Sequence, residues 1–186
     1  MTKWLQTLFS RRGLKLLLVY GLIFVGSGFL GNLWMTRDQI SGVLPQITSV
    51  DLSGTVVRLG YGSAPGEAIV LADANLEKPL LVYFFAEWCP ICKLQNGAIS
   101  DLQPDYSVLG IAMQSGNDAS VKQYMADQDI GFRVINDETG QISRLFHVNG
   151  VPAAFIVNQN GLIQYSTRGY ASELGLRSRL WLSDQS

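Results

Sequence analysis

The sequence predicts an α/β sandwich with a mixed central sheet, preceded by one transmembrane helix. Three features carry this: an uncharged apolar run from Leu16 to Met35, strand-like and helix-like segments alternating from Leu80 onward, and two strand-like runs flanking Asn158-Gln159-Asn160-Gly161 before a last amphipathic stretch. At 186 residues the chain has room for one domain with a real core and a short appendage.

The apolar run comes first. Twenty uncharged residues at about 1.5 Å per residue match a hydrocarbon core of about 30 Å. The run is longer than the apolar core of a signal peptide, and Phe29, Leu30 and Leu33 continue it past Gly26-Ser27-Gly28, so an uncleaved anchor is expected. Lys3, Arg11, Arg12 and Lys15 lie before it, whereas Arg37 beyond it is followed at once by Asp38. That asymmetry places the N-terminus in the cytoplasm and the rest of the chain outside it.

From residue 37 to about 65 short apolar pieces are broken by Gly42, Pro45, Gly54, Gly60, Gly62, Pro65 and Gly66. They suggest a linker and then a small N-terminal hairpin, with Val56, Val57 and Leu59 as strand residues. Leu80 to Phe85 is continuously apolar and aromatic, as a strand buried on both faces requires. Helical spacing follows from Ile91 to Leu102, a strand from Ser107 to Met113, a helix from Asp118 to Gln128, a strand from Phe132 to Ile135 and a short helix from Gly140 to Phe146. Ala153 to Val157 and Leu162 to Ser166 form the closing hairpin, and Ala171 to Leu182 the last helix. The expected organisation is residues 1–15 cytoplasmic, 16–35 transmembrane, 36–50 linker and 51–186 the α/β domain.

Charge and cysteine count exclude other classes. From Arg37 onward ten basic side chains face fifteen acidic ones, which argues against nucleic acid as a partner. Two cysteines and one histidine cannot supply a four-ligand structural zinc site of the usual kind, and no metal is expected.

The chemistry lies in Trp88-Cys89-Pro90-Ile91-Cys92. Two cysteines with two residues between them, at a strand-to-helix junction, put the first sulfur at the helix N-terminus and the second about a turn inside. The helix end stabilises a thiolate, so Cys89 is the expected nucleophile. Pro90 suits the first helical turn, where its missing N–H costs nothing. Cys92, deeper in the helix, would resolve the mixed disulfide without metal or organic cofactor. Two alternatives stay open. A structural staple would close nearly the smallest possible loop and so gain little, and two thiolates with His147 could carry Cu(I).

Phe85-Ala86-Glu87-Trp88-Cys89-Pro90-Ile91-Cys92-Lys93 after a buried strand, with Val151-Pro152 before the closing hairpin, resembles the thioredoxin superfamily. The resemblance implies a thioredoxin-like sandwich and a cis Pro152 beside the cysteines. It also implies that the Val151 backbone pairs with an extended substrate segment, with Trp88 as a stacking surface and Glu87 as a nearby charge. Sixty positions separate Cys92 from Pro152, and the segments 118–128 and 132–135 that fill them are similar to the insertion of the membrane-anchored TlpA-like branch. Trp34, Arg37-Asp38, Ala112-Met113-Gln114-Ser115-Gly116, Asn136-Asp137 and Gly169-Tyr170 through Glu173-Leu174-Gly175-Leu176-Arg177 to Arg179-Leu180-Trp181 resemble the suppressor of copper sensitivity protein D group. This implies a periplasmic oxidoreductase held in the inner membrane, exchanging with protein thiols or disulfides and with a membrane-embedded electron donor. Copper tolerance is a linked role, and thiol reduction of apocytochrome c is the rival. Two residues depart from the pattern: Tyr83 stands where thioredoxin has a buried aspartate, and Gln95 where many relatives carry an acidic residue.

Overall fold

The computed structural model describes residues 11–36, 39–59 and 78–185. The chain divides into two compact units, Met1–Arg37 and Asp38–Ser186. In the first, helix α1 spans Arg11–Thr36. The expected span 16–35 is helical along its whole backbone, and Leu16, Leu18, Val19, Tyr20, Leu22, Ile23 and Leu30 are exposed. Residues 17, 24, 25, 28, 29 and 32–35 lie outside those whose side chains are described, and among the described residues no helix is long and apolar enough to cross a membrane.

The second unit carries β1 (Gly42–Val43), β2 (Ile47–Val50), β3 (Val56–Leu59), β4 (Leu80–Phe85), α2 (Pro90–Ser100), β5 (Ser107–Met113), α3 (Asp118–Asp127), β6 (Arg133–Asp137), α4 (Gln141–Leu145), β7 (Ala153–Val157), β8 (Leu162–Arg168) and α5 (Glu173–Asp184). Six strands form one sheet in the order β1-β8-β7-β4-β5-β6. β4, β5 and β6 are mutually parallel, while β7 and β8 return antiparallel, which makes the sheet mixed.

Both faces of that sheet are covered, and this explains why all six residues of β4 are buried. Strand alternation sends Leu81, Tyr83 and Phe85 into one cluster with Cys92 and Ile99 of α2, Val121 and Tyr124 of α3, and Leu176 and Leu180 of α5. Leu80, Val82 and Phe84 enter the opposite cluster with Ile142 of α4, Phe146, and Ile47, Val57 and Leu59 of the β2–β3 hairpin. Gly110 in β5 admits the aromatic packing of the first face: a Cβ there would lie 2.7 Å from Phe132 Cε2 and 3.0 Å from Phe85 Cε1.

The expected linker over 36–50 is corrected. Gly42–Val43 pairs with Ile163 and Leu162 at the sheet edge, Leu44 is 1 % exposed, and β2 pairs with β3. Asp51 Oδ1 accepts from the N–H groups of Ser53 and Thr55, both at 2.9 Å, and so sets the turn between β2 and β3. The glycine-rich end of the expected hairpin region, residues 60–65, lies outside the described residues. The closing hairpin follows its sequence signal: Asn158 Oδ1 accepts from Asn160 N–H and Leu162 N–H, both at 3.0 Å, and Gly161 takes a φ of 73°.

Candidate active site

The parallel strand β4 ends at Phe85, and a tight turn, with Cys89 N–H donating to Ala86 O at 3.2 Å, delivers the chain into α2. Cys89 is the N-cap of that helix with extended backbone (φ −94°, ψ 109°), and Pro90 opens the first turn. Here a sulfur takes the place of the usual capping oxygen. Cys92 N–H donates to Cys89 Sγ at 3.1 Å, so one of the helix's unpaired amides points at the sulfur that must carry negative charge as a thiolate.

Cys89 and Cys92 are joined by a disulfide, with Cα atoms 5.3 Å apart. Their exposures differ as their order in the helix requires: Cys89 keeps 4 % of its surface and Cys92 none. An incoming reactant can meet only the first sulfur.

The Val151–Pro152 peptide bond is cis, and Val151 O lies 3.6 Å from Cys89 Sγ. The loop after β8 braces this segment, as Gly169 N–H donates to Pro152 O at 2.8 Å. Trp88 is 58 % exposed, with its indole N–H donating to Gln114 O at 3.1 Å. Glu87 N–H donates to Ser115 Oγ at 3.1 Å, and that buried hydroxyl donates to Met113 O at 3.1 Å. The Gln114-Ser115 corner, with Gln114 at φ 45°, therefore holds the approach to the cysteines from the end of β5. Glu87, Trp88 and Lys93 line one side of a shallow groove of about 420 Å³, and Ser120, Tyr124 and Asp127 the other.

Beneath the helix lies a polar layer. Tyr83 is fully buried, and its hydroxyl donates to Asn96 Oδ1 at 3.3 Å, while Asn96 Nδ2 donates to Tyr124 Oη at 3.0 Å. Burial, with the neighbouring Tyr124 adding to it, drives the Tyr83 phenol far above its ordinary value, so it stays a neutral O–H. Burial raises Tyr124 as well, against the opposing hydrogen bond from Asn96. Tyr83 cannot take the base's part of an ionised aspartate. Asn96 stands four residues after Cys92 on the same helix face and is 1 % exposed. Asn96→Ala is expected to lower unfolding stability by about 1–3 kcal/mol, because it leaves buried phenol groups without a partner. Adding Tyr83→Phe should recover part of that loss, as read from urea midpoints of the oxidised chain.

Gln95 has a structural task. Fully buried, its Oε1 accepts from Ala171 N–H at 3.1 Å and ties α2 to the segment leading into α5. His147 is exposed at the end of α4 with φ 52°, and among the described residues no group of three or more His, Cys, Asp or Glu is placed to hold a metal. The structure thus brings Cys89, Cys92, Pro90, Val151 and Pro152 together, with Trp88 and Glu87 at the rim and Tyr83 below. Sequence reasoning missed the parts of Asn96 and Ser115. Four-residue spacing from Cys92 is a signal for the first, and nothing local marks the second.

Residues 51–166 match the AhpC/TSA family model. A thioredoxin-like protein of Haemophilus influenzae is 27% identical over 154 residues, 82% of this chain and 92% of that one. The thiol:disulfide interchange protein DsbE of Pseudomonas aeruginosa is 25% identical over 168 residues, 89% of each chain. The thiol-disulfide oxidoreductase ResA of Oceanobacillus iheyensis is 26% identical over 96 residues, half of each. Among solved structures, a thioredoxin-family thiol:disulfide interchange protein of Chlorobium tepidum superposes with a TM-score of 0.61 at 21% identity, covering 79% of this chain and 99% of that one. A secreted disulfide oxidoreductase of Mycobacterium tuberculosis gives 0.58 at 20% identity, covering 74% and 96%. These likenesses establish the thioredoxin-like fold.

Proposed function

We propose, for a chain that belongs to the AhpC/TSA family, the activity of a protein thiol-disulfide oxidoreductase working through Cys89 and Cys92. One observation carries the reading: a disulfide whose first sulfur caps a helix of eleven residues beside a cis Val-Pro bond, and whose second is sealed beneath it. A staple has no use for that difference in exposure, whereas a two-step exchange depends on it. In the reduced protein the Cys89 thiolate attacks one sulfur of a client disulfide and forms a mixed disulfide, releasing a client thiolate that takes up a proton. Cys92 then gives up its proton and attacks Cys89 Sγ. The Cys89–Cys92 bond forms, the mixed disulfide breaks, and the client leaves with two electrons and two protons gained.

The reducing direction belongs to the same proposal. Between the end of α2 and Pro152 the only helices are α3 and the five-residue α4, too little for the separate helical domain with which an oxidase grips unfolded clients. Anchorage through residues 16–35, with the domain in the periplasm and a membrane-embedded dithiol as electron donor, is supported by the twenty-residue uncharged run and the four basic residues before it. A TlpA-like affiliation and a link to copper tolerance rest on the sequence resemblance.

The test mixes the reduced full-length chain with a disulfide-bonded protein and counts alkylated thiols on both by mass spectrometry. One client disulfide should open for each Cys89–Cys92 disulfide formed. Thiols that stay on this chain while the client remains oxidised would refute the reading.

A further inference from the structure

We infer that Ser115 is a positioning residue for client binding, one that holds Trp88 as a fixed platform beside Cys89 and so sets the affinity for peptide clients without touching the chemistry of the sulfurs; this rests on the redox reading above. Two hydrogen bonds run side by side between the corner after β5 and the turn before α2. Glu87 N–H donates to Ser115 Oγ at 3.1 Å, and the Trp88 indole N–H donates to Gln114 O at 3.1 Å. The backbone just before Trp88 and the far end of its ring are thus both held by two consecutive residues of the other segment. Trp88 is 58 % exposed, so packing alone does not fix an indole there.

The second observation concerns the corner itself, which is anchored at its other residues. Gln114 N–H donates to Asp137 O at 3.0 Å, Asn136 Nδ2 donates to Gly116 O at 3.0 Å, and Asn117 caps α3 by accepting from Ser120 N–H at 3.0 Å. Gln114 and Gly116, with φ of 45° and 80°, make the bend on either side of Ser115. Ser115 is 1 % exposed, and its hydroxyl uses both its donor and an acceptor position: it donates to Met113 O and accepts from Glu87 N–H. The first bond is local to the corner. The second reaches the active-site turn, and an apolar side chain of the same size would leave that N–H without its partner.

Trp88 forms part of the wall of the groove of about 420 Å³ that runs between this turn and α3, and Cys89 is the next residue. Because Cys89 keeps only 4 % of its surface, a client must lie against that rim to bring a sulfur to it. A large aromatic side chain that is already fixed loses no torsional freedom when the client packs on it, so the clamp favours binding by removing an ordering cost. The hydrogen-bonding groups at the Cys89 sulfur are Cys92 N–H and Val151 O, and neither belongs to the clamp. Affinity and chemistry are therefore separable at Ser115.

The experiment follows reduction of a synthetic peptide disulfide by the full-length chain, recycled with dithiothreitol. S115A should raise KM for the peptide about tenfold, equivalent to about 1.4 kcal/mol. Its kcat, and the rate at which dithiothreitol alone reduces its Cys89–Cys92 bond, should stay within about twofold of wild type. W88F, which removes the indole N–H, should raise KM as well, and adding S115A to W88F should change KM by less than about twofold because the platform is already lost. The wild type supplies a reading that needs no variant: the Trp88 indole proton should exchange with solvent more slowly than that of Trp181, exposed to nearly the same degree at 57 %. Ser115 has no such role if S115A leaves KM unchanged, if kcat and the dithiothreitol rate fall with it, if S115A and W88F act additively, or if the two indole protons exchange alike. If wild type reduces no peptide disulfide at all, the redox reading itself fails and this one with it.

Discussion

Replacing Cys92 with alanine is expected to stop exchange halfway. Cys89 still caps α2 and still receives the amide of residue 92, so it attacks a client disulfide as before. The mixed disulfide then has no internal thiol to resolve it. Release falls to external thiols, which lack the effective concentration of a group held one helical turn away, and turnover should drop by at least about 10³-fold. Non-reducing electrophoresis should show a covalent adduct with the client that dithiothreitol removes. Cys89→Ser should give neither turnover nor adduct. Adducts formed by C89S and absent from C92A would reverse the two roles and contradict the burial of Cys92.

Phe84→Ala should give the largest loss of stability, by a route independent of the chemistry. Phe84 is fully buried in β4, with ring centroids 5.0 Å from Phe146 and 5.6 Å from Phe155. Truncation leaves a cavity between the sheet and the layer formed by α4 and the β2–β3 hairpin, at a cost of about 3–5 kcal/mol. For a domain of this size the unfolding temperature should fall by about 10 °C in calorimetry. Phe84 faces away from the cluster that holds Cys92. Well below that temperature the variant should therefore reduce a peptide disulfide at close to the wild-type rate. A large loss of rate in the still-folded variant would mean that the two faces are coupled through the sheet.

The contrast between those two residues shows what local sequence could and could not reveal. Leu80 to Phe85 was legible because a strand covered on both faces needs six apolar residues in a row, and Ser107–Met113 and Ala153–Val157 for the same reason. The Asn158–Gly161 turn was legible because its side-chain hydrogen bonds are local. Cys89 and Cys92 declared themselves by spacing, and Val151-Pro152 through its resemblance to a known pattern. Gly42–Val43 did not, since a two-residue strand exists only because β8, some 120 positions later, offers an edge to pair with. Ile47–Val50 was hidden because Thr48 and Ser49 dilute its apolar pattern and Asp51 supplies the turn through its side chain. Asn96 and Ser115 take their meaning from partners on other elements, and no local period records that.

The most direct test of a working dithiol couple is its reduction potential in the full-length chain, from equilibration against graded dithiothreitol or glutathione buffers and counting of alkylated cysteines by mass spectrometry. A single two-electron transition near or below the thioredoxin value of about −270 mV is predicted, with both cysteines changing together. A transition near the DsbA value of about −120 mV would contradict the reducing direction, and cysteines that equilibrate with no buffer would contradict the exchange itself.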